Sequence, residues 1–370
     1  MRIAYTCQHI CIHGGLERII VEKANAMAQA GHDVCLIVNN PPGEKSAYDI
    51  DPAVRLYDIA LPAPKSILGS VPFKVKQGIK IHRVLRRFHP DIVVVVPTWL
   101  TLSMLFAPGR LVMESHSSRE HMFSSESRQS YKRLKVALAE RRASCVVTLT
   151  QTAAAQWPGA KKIASIPNFT EIKPFGDYDP DSRRIIAAGR LSPEKGFDLL
   201  TDAWSIVIRK HPDWHLDIYG DCPSGSNALQ CLLNRIKKND IRQNVHYKGV
   251  CRNMAQAYAG HSIYALSSRY EGFGLVLLEA MTCGLPCISF DCPDGPREII
   301  TDRHDGLLVP YHGHTDAERS AAFSEALCRM IEDHDMRIRM SKEAISKARD
   351  FSRDAIMNQW LMLFNTLTEK

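Results

Sequence analysis

The sequence lacks the features of a membrane-spanning or secreted protein. None of its apolar runs approaches the roughly 18 uninterrupted residues that a transmembrane helix needs. Its first residues, MRIAYTC, are typical of a short β-strand and not of the apolar core of a signal peptide. The eleven cysteines include no Cys-x-x-Cys pair, so we expect reduced thiols and neither disulfides nor a zinc site. These absences favour a cytoplasmic protein.

Acidic residues are scarce in the first half of the chain. Residues 1–170 contain 22 Lys or Arg and 12 Asp or Glu, whereas residues 171–370 contain 25 and 28. Segment 72–90, PFKVKQGIKIHRVLRRFHP, has six Lys or Arg and no acid, and segment 128–142 has six more with one acid. Apolar residues are interleaved with these charges, so we expect contact with an anionic membrane surface. The alternative is an ordinary outer helix of the domain, and the missing aromatic stacking platform argues against nucleic acid.

Short β-rich runs alternate with amphipathic helical patterns along the chain. Continuous apolar runs are typical of parallel strands covered on both faces, and the alternation predicts doubly wound α/β sheets. The predicted strands of the first half are Arg2–Cys7, Asp33–Val38, Val54–Ile59, Ile92–Val96, Arg110–Glu114, Cys145–Leu149 and Ile163–Ile166. Those of the second half are Arg184–Ala188, Leu216–Tyr219, Val245–Tyr247, Ile263–Leu266, Cys287–Phe290 and Gly306–Val309.

The alternation breaks once, at residues 170–182, TEIKPFGDYDPDS. Pro, Asp and Gly without periodicity predict a linker here. We therefore expect a first Rossmann-like domain over residues 1–170, a second over residues 171–350 and a C-terminal segment over residues 351–370. The last segment contains a predicted amphipathic helix, Phe351–Leu367.

Two acids stand in or beside an apolar stretch of the second domain, SSRYEGFGLVLLEAMTCGLP at residues 267–286. A buried carboxylate needs a partner, because its charge is costly away from water. Glu279 would lie roughly 7 Å along a helix that begins near Gly274, about the distance from a diphosphate to its ribose. Its carboxylate could then accept both ribose hydroxyls, while Glu271 on the preceding loop could reach a sugar. The alternatives are a solvated loop acid at Glu271 and a helix–loop contact at Glu279.

A basic loop follows the first strand of the second domain, GRLSPEKG at residues 189–196. Arg190 and Lys195 flank a turn at the carboxyl end of a strand, where ligands of open α/β sheets bind. The guanidinium fork and the ammonium both suit a phosphate, although such residues often only face solvent. No Gly-x4-Gly-Lys-Ser/Thr sequence is present, which argues against a P-loop NTPase.

Together these motifs resemble the retaining glycosyltransferases of family four. The resemblance rests on Gly-Arg-x4-Lys-Gly at residues 189–196 and on Glu-Gly-Phe-Gly-x4-Glu-Ala-Met-x-x-Gly-x-Pro at residues 271–286. His13-Gly14-Gly15 after the first strand and Pro167-Asn168 before the linker also match, and the resemblance covers nearly the whole chain. It implies a GT-B fold, with two Rossmann-like domains, a cleft between them and a C-terminal helix that crosses back onto the first domain.

The resemblance also implies a role for each site residue. Arg190 and Lys195 would bind the donor diphosphate and act in catalysis together with Glu271 and His116, which would contact the transferred sugar. Glu279 would hold the ribose. The remaining donor contacts would come from Gly14, Gly15, Arg252, Gly272, Phe273, Gly274, Leu275 and Asp294. His116 could instead be a structural hydrogen-bonding residue, and Arg252 could simply be exposed.

The sequence departs from the family at residues 292–298, CPDGPRE, where a Gly-Gly-x-x-Glu run is common. This version resembles the branch that builds bacterial exopolysaccharide, capsule and lipopolysaccharide. Asp294 would contact a sugar hydroxyl or cap the following helix. Asp-x-Asp, a metal-binding pattern of the other glycosyltransferase fold, occurs at Asp49–Asp51 and at Asp179–Asp181. Both lie in turn-rich segments, so we predict turn formers and no metal.

The implied function is a retaining, metal-independent hexosyltransferase that needs no cofactor. It would transfer a hexose or N-acetylhexosamine from a nucleotide-diphospho-sugar, a UDP-sugar, to a lipid-linked glycan at the inner face of the cytoplasmic membrane. Two alternatives are a nucleotide-sugar epimerase, which can share this fold, and a non-catalytic nucleotide-sugar-binding protein. An epimerase would convert the donor with no acceptor present. The intact set of basic and acidic site residues argues against a non-catalytic protein.

Overall fold

Two parallel sheets contain the strands of this computed structural model, which describes residues 1–63, 70–96, 104, 106–123, 129–222 and 225–369. The first sheet contains β1 (Arg2–Thr6), β2 (Asp33–Val38), β3 (Val54–Asp58), β4 (Ile92–Val95), β5 (Arg110–Ser115), β6 (Cys145–Thr148) and β7 (Ile163–Ser165). The second contains β8 (Arg184–Ala188), β9 (His215–Tyr219), β10 (Val245–Gly249), β11 (Ile263–Leu266), β12 (Cys287–Asp291) and β13 (Gly306–Pro310). All the predicted strands are present, and their ends differ by two residues at most.

Helices follow most of the strands. Those of the first half are α1 (Gly15–Gln29), α2 (Ser70–Phe88), α3 (Arg119–Met122), α4 (Gln129–Arg142) and α5 (Gln151–Ala154). Those of the second half are α6 (Phe197–Val207), α7 (Ala228–Lys238), α8 (Met254–Ala259), α9 (Leu275–Thr282), α10 (Pro296–Ile299), α11 (Asp316–Glu332), α12 (His334–Ala348) and α13 (Arg353–Thr368). Arg128, the first residue of the second basic segment, lies outside the described residues.

The chain divides into two compact units. The first comprises Met1–Asn168 and Asp354–Lys370, and the second comprises Phe169–Arg353. Helix α13 therefore packs mostly with the first unit. The helix begins two residues later than predicted, because Phe351 lies in a short 3-10 turn of the second unit, with its ring centroid 5.8 Å from that of Phe273.

Both sheets are buried on two faces. Strands β4, β6 and β11 are buried at every position, which is why their sequences are continuous apolar runs and not alternating ones. Large side chains fill the space between sheet and helices, including Trp157 in the first unit and Trp204 in the second. The eleven cysteines are all free thiols, as the sequence predicts.

Strand order determines where a ligand can bind in each unit. The first sheet has the order β3-β2-β1-β4-β5-β6-β7, and the second has the order β10-β9-β8-β11-β12-β13. In the second sheet, successive strands are added toward one edge from β8 to β10 and toward the opposite edge from β11 to β13. The switch point between these two halves lies between the neighbouring strands β8 and β11. At such a switch point the loops after two neighbouring strands diverge and leave a crevice at the carboxyl edge of the sheet. The basic loop follows β8, and the first of the two acids follows β11.

Candidate active site

Close backbone contacts join the loops at the carboxyl edge of the second sheet. Gly196, the last residue of the basic loop, has φ +61°, and a Cβ atom there would lie 2.0 Å from the carbonyl oxygen of Ser267. Gly295, after β12, donates its N–H to the carbonyl of Glu271 at 3.0 Å. A Cβ atom at Gly295 would lie 2.2 Å from the carbonyl oxygen of Phe273. Glycine is therefore required where the loop after β11 meets its two neighbours.

Lys195, one of the two residues of the basic loop predicted to bind phosphate, contacts Glu271. Lys195 ends the 3-10 turn Pro193–Lys195, and its Nζ donates a hydrogen bond of 2.6 Å to Oε1 of Glu271. The carbonyl of Lys195 also accepts a hydrogen bond from Ser267 Oγ at 3.0 Å. Arg190 lies on the same loop and is exposed. The loop thus presents one anchored and one solvent-facing cation at the carboxyl end of β8.

Arg269 holds this loop in place, a role that the sequence analysis missed. Its backbone N–H donates to the carbonyl of Glu194 at 2.7 Å, and its guanidinium donates to that of Pro193 at 3.0 Å. Asp198 accepts two more of its hydrogen bonds, at 2.7 and 2.8 Å, and Asp316 a third at 3.0 Å. Burial acts against the charge of Asp198, but the bonds to Arg269 outweigh it and lower the pKa of that carboxyl. A charged residue two positions before Glu271 was the available signal.

Glu271 is a buried, paired carboxylate and not a solvated loop acid. Its residue is 7% exposed, and Oε1 accepts hydrogen bonds from Lys195 and from Ser268 Oγ, both at 2.6 Å. Residue 271 also forms an isolated parallel bridge with Asp294, which lies in the loop after β12. Three loops therefore meet at Glu271, which gives its side chain a defined position.

Glu279 is the fifth residue of helix α9. The N-cap of this helix is Gly274, which has φ +94°. Gly274 has no side chain to cap the helix, so the amides of the first turn can bind an anion. Glu279 is 4% exposed and accepts a hydrogen bond from the hydroxyl of Tyr258 at 3.3 Å. Burial and then the Glu279 charge raise the pKa of Tyr258 well above its ordinary value, which keeps the phenol a donor. The buried acid of the apolar run thus has a partner.

Asp294 lies one residue before the N-cap position of helix α10. The N-cap is Gly295, which has no side chain to cap the helix. Asp294 is 2% exposed and has φ +78°, an uncommon conformation for a residue other than glycine. Such strained residues cluster at ligand sites, because the surrounding structure must hold them in place.

The other predicted donor contacts lie at loop and helix starts. Gly272 and Phe273 form the turn before α9, and Leu275 is its first residue. Arg252 is exposed in the turn after β10. These positions all belong to the second unit, as do the basic loop and both acids.

The predicted site residues of the first unit lie after β1 and β5. Gly14 is the N-cap of α1, with Gly15 the first helical residue. The N–H of Gly14 donates to the Tyr48 hydroxyl at 2.7 Å, and that hydroxyl donates to the carbonyl of Gly14 at 2.8 Å. The half-buried His116 follows β5, with its Nε2 2.9 Å from Oε1 of Glu114. Tyr48 was missed because it lies 34 residues from its partner.

The Asp-x-Asp segments form turns, as predicted. Asp51 accepts a hydrogen bond from the backbone N–H of Ala53 at 2.9 Å, and Asp179 accepts one from that of Asp181 at 3.0 Å. These are side-chain-to-backbone bonds of the kind that initiate turns. Among the described residues, one group with suitable ligand atoms lies close enough together to hold a metal ion, namely His211, Cys328 and Glu332. It contains neither Asp-x-Asp segment nor any of the predicted donor-site residues.

Models of two glycosyltransferase families match most of the chain. The family model Glycosyltransferase Family 4 matches residues 13–173, and Glycosyl transferases group 1 matches residues 168–347. The amylovoran biosynthesis glycosyltransferase AmsD of Erwinia amylovora is 29% identical over 95% of this chain and 96% of its own.

Solved structures show the same fold at low sequence identity. Sucrose-phosphate synthase from Thermosynechococcus elongatus has a TM-score of 0.83 and 19% identity, covering 99% of this chain and 98% of its own. A variant of S. aureus TarM, in complex with fondaparinux, alpha-GlcNAc-glycerol and UDP, has a TM-score of 0.77 and 13% identity, covering 98% and 99%. This chain therefore belongs to the glycosyltransferases of GT-B fold, with a family 4 domain followed by a group 1 domain.

Proposed function

We propose that this glycosyltransferase transfers a hexose or N-acetylhexosamine from a UDP-sugar to a lipid-linked glycan in cell-surface polysaccharide synthesis, with retention of anomeric configuration. The contact between Lys195 and Glu271, beside the uncapped start of α9, carries the proposal. A cation and an acid thus lie together beside the start of a helix that its N-cap residue does not cap, at the switch point of the second sheet. The UDP bound to TarM and the amylovoran role of AmsD support the donor and the pathway class.

The charges of the site suit a leaving diphosphate. Arg190, Lys195 and the first-turn amides of α9 would stabilise the negative charge that develops on it, so no metal ion is required. The acceptor hydroxyl attacks the anomeric carbon from the face that the diphosphate leaves. The bond from the anomeric carbon to the diphosphate oxygen breaks, its electron pair stays on that oxygen, and the oxygen takes the acceptor proton. No side chain need act as a strong base.

The acids would bind two different parts of the donor, the ribose and the transferred sugar. Glu279 lies one turn into α9 and accepts a hydrogen bond from the buried hydroxyl of Tyr258. We expect its carboxylate to accept the ribose hydroxyls as well. Glu271 would accept a hydroxyl of the transferred sugar, with Lys195 holding its carboxylate. Asp294 would contact the same sugar, because its residue bridges to Glu271.

The first experiment is a panel of radiolabelled nucleotide-sugars incubated with a membrane extract that contains lipid-linked acceptors. We expect label from one UDP-sugar to enter the lipid fraction, and nuclear magnetic resonance of the product to show the donor's anomeric configuration. Inverted configuration would refute retention. Conversion of the donor without acceptor would indicate the epimerase, and binding without any turnover would indicate the non-catalytic protein.

Helix α2 is the proposed membrane-contacting surface. Its inner side is buried at Ile81, Leu85 and Phe88, so it is an outer helix of the first unit. Val75 and Ile79 on its outer side are nevertheless 56% and 54% exposed, among Lys and Arg residues without an acid. Apolar side chains amid basic ones suit an anionic lipid surface. In the described part of the chain, no helix is both long and apolar enough to cross a bilayer.

Vesicle binding tests this surface. Lys74, Lys76 and Arg83 are exposed, whereas Lys80 donates a hydrogen bond to the carbonyl of Ile59 at 3.1 Å and is best left intact. Changing the first three to Glu should release the protein from vesicles rich in acidic lipid, since each basic residue contributes about 1 kcal/mol at such a surface.

A matched control has the same charge change on the second unit. Lys237, Lys238 and Arg242 are exposed near the end of α7, and their change to Glu should leave vesicle binding intact. Equal loss of binding in both triple variants would show a general charge effect and refute a specific α2 surface. Transfer to a short water-soluble acceptor should continue in both variants.

A further inference from the structure

A fully buried ion pair lies directly beside the predicted sugar-contacting histidine. Lys23 of α1 and Glu114 of β5 are both 0% exposed, and Lys23 Nζ donates a hydrogen bond to Glu114 Oε1. Their positions are 91 residues apart in sequence. Burying two charges is costly, and a pair of hydrophobic residues would often stabilise a fold as well. The pair therefore calls for an explanation other than stability.

Glu114 bridges the lysine and the histidine through one oxygen. Oε1 contacts Lys23 Nζ and lies 2.9 Å from Nε2 of His116. Burial acts against the Glu114 charge, but Lys23 and then His116 outweigh it and lower the pKa of that carboxyl to about 2. Burial lowers the pKa of Lys23, an effect that the contact with Glu114 opposes. The contact favours both charges, so the carboxylate facing His116 is ionised.

An ionised carboxylate at this distance determines which ring nitrogen carries the proton. Nε2 is within 2.9 Å of this oxygen, although its N–H is not aligned on it as a full hydrogen bond. A proton on Nε2 is the arrangement that the contact favours, because an unprotonated nitrogen and a carboxylate oxygen repel each other through their lone pairs. In the neutral ring Nδ1 is then the hydrogen-bond acceptor. The imidazole side chain is 11% exposed, so one part of it remains accessible.

The C-terminal helix also contacts the lysine. Trp360 of α13 is 0% exposed, and Lys23 Nζ lies 4.6 Å from its ring centroid. Lys23 is thus held between a carboxylate and an aromatic face, both of which attract an ammonium. A residue close to the C-terminus therefore helps fix an ion pair that contacts a loop after β5.

We propose that Lys23 and Glu114 are positioning residues, which hold the His116 ring in one orientation with its proton on Nε2 and its Nδ1 ready to accept a hydroxyl of the donor sugar. This inference rests on the proposed function, since it assumes that His116 contacts the sugar. Trp360 completes the arrangement by holding Lys23.

A double-mutant cycle tests the positioning role. Removing Lys23 alone would leave a buried unpaired carboxylate, so Lys23→Met is combined with Glu114→Gln to remove both charges. We expect this double variant and His116→Ala each to lower the rate of sugar transfer by roughly 10- to 100-fold. In the His116→Ala background the double variant should cause no further loss, because it acts through the same ring. Full multiplication of the two effects would overturn the proposal.

Nitrogen-15 shifts of the histidine rings give a readout independent of activity. The His116 signal, identified by its loss in His116→Ala, should report a proton on Nε2 in the unchanged protein and a tautomer mixture in the double variant. Glu140→Gln is the control, since Glu140 is another buried acid of the first unit and is bound to Arg119 and Gly159, both at 2.7 Å.

Each outcome of the ring measurement decides the question. The control should leave the His116 shifts unchanged; an equal change in control and double variant would show a general structural effect and overturn the proposal. An unchanged tautomer in the double variant would overturn it too. If the unchanged protein transfers no sugar, or His116→Ala transfers it at full rate, the proposed function or the role of His116 fails while the tautomer result still tests the positioning.

Discussion

Alanine at Gly295 should disrupt the site without straining the local backbone. Gly295 has φ −78° and ψ −54°, which any L-residue adopts readily. The added Cβ atom would nevertheless lie 2.2 Å from the carbonyl oxygen of Phe273 and 2.5 Å from its carbonyl carbon. Ordinary contact begins at 3.4 Å, and a backbone carbonyl cannot rotate away as a side chain can. The loop after β12 must therefore move by about 1 Å from the loop that carries Glu271.

A displacement of this size should have a large effect on catalysis. Misplacing reacting groups by about 1 Å costs roughly 10²-fold in rate, which corresponds to about 2.7 kcal/mol of transition-state stabilisation. Overpacking should also lower the free energy of unfolding by about 1–3 kcal/mol. The measurements are kcat/KM for sugar transfer and the midpoint of urea unfolding, with calorimetric titration of UDP to report donor binding.

Gly313→Ala separates steric collision from backbone strain. Gly313 is exposed with φ +77°, and no atom lies within 4 Å of the Cβ that alanine would add. Its replacement should cost about 1 kcal/mol of stability through the left-handed conformation alone and leave kcat/KM unchanged. If Gly295→Ala kept kcat/KM within about threefold of the unchanged protein, the argument that this contact positions Glu271 would be refuted.

Three further predictions concern charge. Arg190→Ala and Lys195→Ala should each lower kcat by roughly 10²-fold, the scale of one lost transition-state contact, and a near-normal rate in either would remove its diphosphate role. EDTA should leave transfer intact; loss that manganese or magnesium restores would show a metal requirement. Burial disfavours the Asp217 charge, but His261 and Arg184 outweigh it and lower the pKa to about 2. Asp217 should therefore contribute about 2 kcal/mol above pH 4 that is lost as pH falls toward 2, so acid unfolding of Asp217→Asn should show a shallower pH dependence.

Local pattern alone was enough to predict the strands and several loops of the candidate site. Continuous apolar runs such as Ile92–Val95 can be stable only between two covering layers, so they predict both the strand and its parallel setting. Glycine and charge at strand ends predicted the basic loop and the start of α9, because these features depend on residues close together in sequence. The two Asp-x-Asp turns could be predicted for the same reason, because each is formed by a hydrogen bond between residues two positions apart.

Partners far apart in sequence were decided only by the tertiary structure. Arg269 binds Asp316, Tyr258 binds Glu279, and nothing in either local pattern indicates the pairing. The positive φ of Asp294 likewise occurs where its loop forms a bridge with the loop after β11, a contact that its sequence neighbours do not indicate. Lys23 would be an ordinary surface residue on the helical pattern of α1. It is buried because β5 and α13 place a carboxylate and an indole on either side of it, and long-range packing of this kind has no signature in a single sequence.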